Sequence, residues 1–227
     1  MHVLAWLREN KNRGTCFKSN SHYSKVPMAS VDAALEIDEK DGRVRAGHEI
    51  TMAGGPLLSK CWKLQRVAYS IPGAEYMELR NCAVDVMWIR ILLSEIGLQL
   101  WVVDSTEIHC DSAGAIDWAI FGKLTVGNKH LKLAYHEVTD WVADNEIMPV
   151  KVLTLFNKSD MQTKSPTIDM TQKFVLWMTG YEDPPEGFIK YRLEQLEKSR
   201  GTFEPFKTSK FKDLAKKSKS MMDHKSS

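Results

Sequence analysis

The chain has 227 residues, 26% of them charged, with 31 Lys and Arg against 29 Asp and Glu for a net charge of +2. That length buries one sizeable core, so one main domain of about 150 residues with extensions is expected. The longest apolar region, Val84 to Val103, is broken by Asp85, Arg90 and Glu95, which argues against a membrane span; the apolar run Val3 to Leu7 is too short for a signal-peptide core. Cys16, Cys61, Cys82 and Cys110 lie far apart with no Cys-x-x-Cys pair, so a zinc site built from cysteines alone is not expected. Reduced, buried thiols in an intracellular compartment are, with cytoplasm and nucleus not distinguished.

The near-neutral total hides an asymmetry. Residues 1–26 sum to about +4, residues 188–227 to about +6, and the middle to about −8. Acids at the centre with bases at both ends suit a protein that holds cations and meets a polyanion, or an ordinary acidic domain with solvated tails.

In chain order, residues 3–14 read as a short helix ending at Gly14, and Cys16 to Val26 as a polar connection. Pro27 to Leu35 is expected to be the first strand, with Asp32 as the one carboxylate in a small and apolar run. A buried unpaired charge is costly, so Asp32 calls for an explanation. Lys40-Asp41-Gly42 signals a turn, Arg43 to Met52 alternates as a second strand, Gly54-Gly55-Pro56 turns again, and Leu57 to Tyr69 reads as a third strand. From Gly73 to Gly97 the spacing of Leu79, Cys82, Val86, Ile89, Leu93 and Ile96 predicts the longest helix, with Glu75 in its first turn. Glu75 is either a helix-start acid favoured by the macrodipole or one member of a metal-binding set.

Thr106 to Asp111 reads as a fourth strand ending on a carboxylate, followed by a helix that stops at Gly122. A second helix is expected over Leu131–Val142, a fifth strand over Met148–Phe156, and a helix start near Asp160, which could equally be an N-cap or first-turn acid. Trp62, Trp88, Trp118 and Trp141 fall at apolar spacings and are expected in the core, and His109 reads as a structural histidine on the same side of its strand as Asp111. After Gly180, Asp183-Pro184-Pro185 breaks the pattern, a Glu/Lys-rich helix follows, and the Lys/Ser-rich end reads as disordered. If the first and fourth strands are neighbours, Asp32, Glu75 and Asp111 converge. Close carboxylates need cations to stay ionised, and Mg²⁺ accepts oxygen ligands while keeping waters.

The order Asp, Glu, Asp, Asp on βββαβαβα resembles ribonuclease H, and the local wording resembles the ribonuclease H region of copia-type (Ty1/copia) retrotransposon Pol polyproteins. GAEYMEL at 73–79 is similar to the family's EAEYxAL, CDSAGAI at 110–116 to CDNxSAI, SVDAAL at 30–35 to YSDADWA, NKHLKLAYHEV at 128–138 to TKHIDIRYHFV, and KSDMQTKSP at 158–166 to LADIFTKPL. LAWLRENKNRG also resembles the segment that ends the preceding reverse transcriptase region. The family's polar helix entry is Ile71-Pro72-Gly73 in this chain, and its Asn after the third acid is Ser112.

The resemblance implies an α/β, ribonuclease H-like fold: a mixed five-stranded sheet, three antiparallel strands then parallel ones, flanked by helices. It implies a domain at 27–180, a reverse transcriptase remnant and linker at 1–26, and a basic extension at 181–227. The implied activity is that of a hydrolase, an endonuclease cleaving the RNA strand of an RNA–DNA hybrid with two Mg²⁺ ions, or Mn²⁺, held by Asp32, Glu75, Asp111 and Asp160. His130 would assist proton movement. The implied partners are nucleic acid and a reverse transcriptase region of the same polyprotein, with no membrane. The alternative is a catalytically degenerate module that binds nucleic acid or a protein without turnover.

Overall fold

The structure is a computed structural model that describes residues 8–18, 26–37, 43–64, 70–122, 132–164, 167–185 and 187–203. Its centre is one sheet of β1 (Met28–Ile37), β2 (Val44–Met52), β3 (Gly55–Lys63), β4 (Thr106–Cys110) and β5 (Ile147–Lys151), in the order β3-β2-β1-β4-β5. β3, β2 and β1 run antiparallel, while β1, β4 and β5 are parallel. This is the mixed five-stranded arrangement expected from the sequence, and it makes β1 and β4 neighbours, with Ser30 opposite His109.

The helices are α1 (Ile71–Glu95), α2 (Ala113–Phe121), α3 (Lys132–Ala143), α4 (Asp160–Thr163), α5 (Ile168–Met178) and α6 (Phe188–Phe203). α1 supplies Tyr76, Leu79, Cys82, Val86, Ile89 and Leu93 to a core shared with Val31 of β1, Ile108 of β4, and the small residues Ala115 and Ala119 of α2. Burying side chains of this size is the main favourable term in the fold. On the other sheet face, α6 sets Leu196 against Met148 and Val150, and Phe188 against Phe156 and Trp177.

Four local expectations are corrected. α1 begins at Ile71, not near Gly73: Ser70 caps it, its hydroxyl accepting from the Gly73 amide at 3.2 Å, and Pro72 lies in the first turn, where its missing N–H costs nothing. Glu75 therefore sits past the first turn. β5 stops at Lys151 because β4 ends at Cys110; the Val152 amide makes the last bond to the Cys110 carbonyl, and Thr154–Phe156 becomes a 3-10 turn. Pro149 is tolerated in β5 because the strand is an edge. β3 starts at Gly55, since Ala53 and Gly54 both take positive φ and make the two-residue hairpin turn; residues 65–69 lie outside the described residues. The first helix ends at Glu9, short of Gly14, with a turn closed by the Arg13 amide on the Asn10 carbonyl.

The apolar pattern of α1 is also wider than the core needs. Trp88 is 63% exposed and Ile96 60%, with Ile91 and Leu92 beside them, so Trp88 is a surface residue; Trp62, Trp118 and Trp141 do pack against the core. Of the cysteines, Cys82 and Cys110 are buried, Cys16 is half-buried and Cys61 is exposed, all as free thiols.

Buried charge ties the elements together. His48 of β2 bridges Glu78 (2.8 Å) and Asp85 (2.9 Å) of α1. Arg90 of α1 donates to the Val102 and Asp104 carbonyls, Thr106 Oγ1 and Glu146. Arg192 of α6 makes a two-pronged pair with Glu107 of β4, both bonds 2.6 Å, and His109 hydrogen-bonds the same carboxylate at 3.1 Å while its ring meets Phe188 edge-on. Against the cost of burial, Arg192 and His109 hold the Glu107 carboxyl down to about 2.

Candidate metal centre

The parallel pairing of β1 with β4 brings two sheet carboxylates to one end of the sheet, and α1 and α4 bring two more. Asp32 lies on β1 opposite Gly47 of β2 and is 1% exposed. Asp111 sits at the bend just past β4, so the strand's alternation no longer commits its side chain to one face. Asp160 opens the single turn of α4, half-buried. Ligand atoms of Asp32, Asp111 and Asp160 all lie within 4.8 Å of one another. A second set, with the same spacing, joins Glu75, Cys110 and Asp111. All four sequence-selected acids therefore meet, with Asp111 shared between the sets. His130 lies outside the described residues.

What fixes Asp160 and Asp32 relative to one another is a pair of hydrogen bonds that crosses the whole chain. Asn157 Nδ2 donates to the Val31 carbonyl at 2.8 Å, and Ser159 Oγ to the Ser30 carbonyl at 2.6 Å. Thr163 Oγ1 then donates to the Asp32 carboxylate. On the other side, Thr154 Oγ1 donates to Asp111 Oδ2 at 2.9 Å and the Lys151 ammonium reaches the Asp111 carbonyl.

The carboxyls behave as a cluster short of positive charge. Burial, then the neighbouring charges of Asp32 and Asp111, pushes Glu75 up to about 9. Burial also lifts Asp32 to about 6, with Asp160 and Asp111 adding to the rise and Thr163 and Lys164 opposing it; Asp160 is raised by burial as well. Glu75 is 4% exposed, and its Oε2 is buried with no hydrogen-bond partner. An orphaned carboxylate oxygen beside two other carboxylates fits a cation ligand better than a folding contact, because a buried acceptor left unpaired costs about 1–3 kcal/mol.

Sequence reasoning missed Lys164. Its ammonium lies 2.8 Å from Asp160 and 3.6 Å from Asp32, inside the all-oxygen set. Burial works against that charge, but the carboxylates of Asp160, Asp32 and Asp111 raise it overall. The signal was present as an i, i+4 Asp–Lys pair on a helix start. Cys110 was missed too, since the cysteines were weighed only against one another.

No protein-family model matches the chain. Curated proteins do, among them the "Retrovirus-related Pol polyprotein from transposon TNT 1-94" of Nicotiana tabacum, 29% identical over 163 residues, and those from transposons RE1 and RE2 of Arabidopsis thaliana, each 27% identical, over 184 and 162 residues. The matches take in 71%, 81% and 71% of this chain. The chain is similar in sequence to these retrotransposon Pol polyproteins. It spans only about an eighth of the length of these relatives, the aligned share being 12%, 12% and 11% of each. Among solved structures, it is similar to LC11-RNase H1 isolated from compost, at 19% identity and TM-score 0.45 over 61% of this chain and 92% of that one. It is also similar to the same protein in complex with an RNA/DNA hybrid, at 18% identity and TM-score 0.44 over 60% and 92%.

Proposed function

We propose that the chain is a ribonuclease H module of a retrotransposon Pol polyprotein that hydrolyses the RNA strand of an RNA–DNA hybrid. The observation that carries this reading is that Asp32, Asp111 and Asp160 form one set of close ligand atoms and Glu75, Cys110 and Asp111 another, joined through Asp111, with Glu75 Oε2 left unpartnered. Asp32, Asp111 and Asp160 would hold one divalent cation and Glu75 with Asp111 a second, Mg²⁺ by their oxygen chemistry and Mn²⁺ as the substitute. Such ions supply the charge that acidifies an attacking water and offsets the leaving 3′ oxygen in an in-line displacement. Thr163 and Thr154 orient Asp32 and Asp111 by donating to them. By the resemblance, His130 would assist proton movement. Hybrid selection would rest on duplex shape and 2′-hydroxyl contacts.

Residues 27–180 would form the module, residues 1–26 would descend from the end of a reverse transcriptase region, and residues 181–227 would form an extension whose lysines add salt-sensitive affinity for nucleic acid. The reverse transcriptase of the parent polyprotein would be its partner, in the cytoplasm or nucleus. Among the described residues no helix is long and apolar enough to cross a membrane.

A second reading rests on Lys164, whose ammonium already supplies a positive charge to Asp160 and Asp32. It describes a module that binds the hybrid without turning it over. Incubation of a labelled RNA–DNA hybrid with the full chain and Mg²⁺ separates the two. Cleavage that Asp111→Asn lowers by at least roughly a hundredfold is expected from a shared metal ligand. Cleavage unchanged in that variant would reject the site, and hybrid binding with no cleavage would favour the second reading.

A further inference from the structure

The two ligand sets that share Asp111 differ in their chemistry. Asp32, Asp111 and Asp160 offer oxygen alone, whereas the other set adds the thiol of Cys110 to Glu75 and Asp111. Mg²⁺ takes oxygen ligands, while sulfur selects zinc-like ions, which also accept carboxylate oxygens and commonly bind three protein ligands with a water in the fourth place. Among the described residues, the hydrogen bonds of the Cys110 thiol are long ones to Ser112, 3.4 Å from its amide and 3.9 Å to its carbonyl, and neither ties the sulfur tightly. Glu75 Oε2, buried and unpartnered, is the independent sign that this set offers a ligand atom to a cation. Lys164 bonds Asp160 and Asp32, members of the all-oxygen set only.

We propose that Glu75, Cys110 and Asp111 form a site for a thiophilic divalent cation of the zinc class, which competes with Mg²⁺ for Glu75 and Asp111. On binding, the S–H bond of Cys110 breaks, its proton leaves to solvent and a sulfur–metal bond forms, with no change of oxidation state. The inference rests on the metal-holding part of the proposed function and not on hydrolysis.

Cadmium is the probe, because a cadmium–thiolate bond absorbs in the ultraviolet. The full chain carrying Cys16→Ser and Cys61→Ser, which removes the two thiols that are not buried, is titrated with Cd²⁺ without nucleic acid. A single bound Cd²⁺ with the thiolate band is expected. Adding Cys110→Ser abolishes the band, Cys82→Ser leaves it in place, and Glu75→Gln keeps the thiol but weakens binding by roughly ten- to a hundredfold. Circular dichroism monitors folding, and if Cys110→Ser does not fold, Glu75→Gln decides the matter. The proposal is overturned by a band that survives Cys110→Ser, by an affinity that Glu75→Gln does not change, or by no band in the parent. Hybrid cleavage with no cadmium site sinks this inference alone; a cadmium site without cleavage sinks the hydrolase alone.

Discussion

Replacing Glu75 with glutamine tests the electrostatics of the centre without any substrate. In the ion-free chain the Glu75 carboxyl titrates near 9 against an ordinary 4.5, with burial as the leading cause and the charges of Asp32 and Asp111 behind it. Folded, it stays protonated at neutral pH; unfolded, it ionises. The folded state therefore holds the extra proton, and stability falls as the pH rises from about 4.5 towards 9. At pH 7, about 2.5 pH units above the unfolded value and still below the folded one, keeping that proton costs the fold about 3 kcal/mol at 1.36 kcal/mol per unit. Glutamine has nearly the same shape and no proton to lose. In EDTA, Glu75→Gln should unfold roughly 6–12 °C higher at pH 7 for a chain of this size, and the gap should close as the pH approaches 4.5. Saturating Mg²⁺ should shrink or reverse it, because an ion bound only by the folded wild type stabilises that chain alone. Urea and thermal unfolding from pH 5 to 9 measure it. Parallel pH profiles for wild type and variant would refute the reasoning.

Three further perturbations read other parts of the molecule. Arg192→Ala frees Glu107, whose folded carboxyl is held near 2; its contribution is present above about 4.5 and lost as pH falls towards 2, so the variant should lose about 2–3 kcal/mol at pH 7 in urea titrations and little at pH 2. Arg90→Met strands the Val102 and Asp104 carbonyls and Glu146, and should cost about 3 kcal/mol by chemical denaturation; a loss below about 1 kcal/mol would mean that water replaces the guanidinium. Lys164→Gln removes the ammonium from Asp160 and Asp32, and calorimetry should find Mg²⁺ bound several-fold to roughly tenfold more tightly; weaker binding would make Lys164 a support of the site rather than a competitor.

The antiparallel meander of β1, β2 and β3 and the candidate acids were legible because both rest on patterns that single residues carry, whereas the full sheet order was implied by the resemblance to ribonuclease H. A carboxylate in the small-residue run around Asp32, a strand ending on Asp111 and an acid at the start of a helix near Asp160 are local signals, and the parallel pairing of β1 with β4 turned them into one place. The depth of Glu75 was not legible: it depends on Ser70 capping the helix two residues before the expected start, which moves Glu75 from the exposed first turn into the body of α1. The end of β5 was set by the length of its neighbour, not by its own residues, since Leu153 to Phe156 are apolar enough to continue a strand. Trp88 misled for a related reason. Spacing marks one face of a helix only when the other face is polar, and α1 is apolar on both. Buried pairs such as His48 with Glu78 join residues thirty positions apart and leave no periodic trace.

The bonds from Asn157 and Ser159 to the carbonyls of Val31 and Ser30 span 126 and 129 positions. During synthesis, the antiparallel hairpins of β1, β2 and β3 can pair as soon as they emerge, but Asp32 receives Thr163 and Asp160 only after nearly the whole described chain has been made. Loop-closure entropy has to be overcome before such distant contacts return anything, which places the completion of the centre among the slow events of folding. A nascent chain would therefore hold a formed meander and an open, charge-frustrated sheet end at the same time. The rate at which ribosomes deliver residues 150–165 then sets how long that exposed state persists.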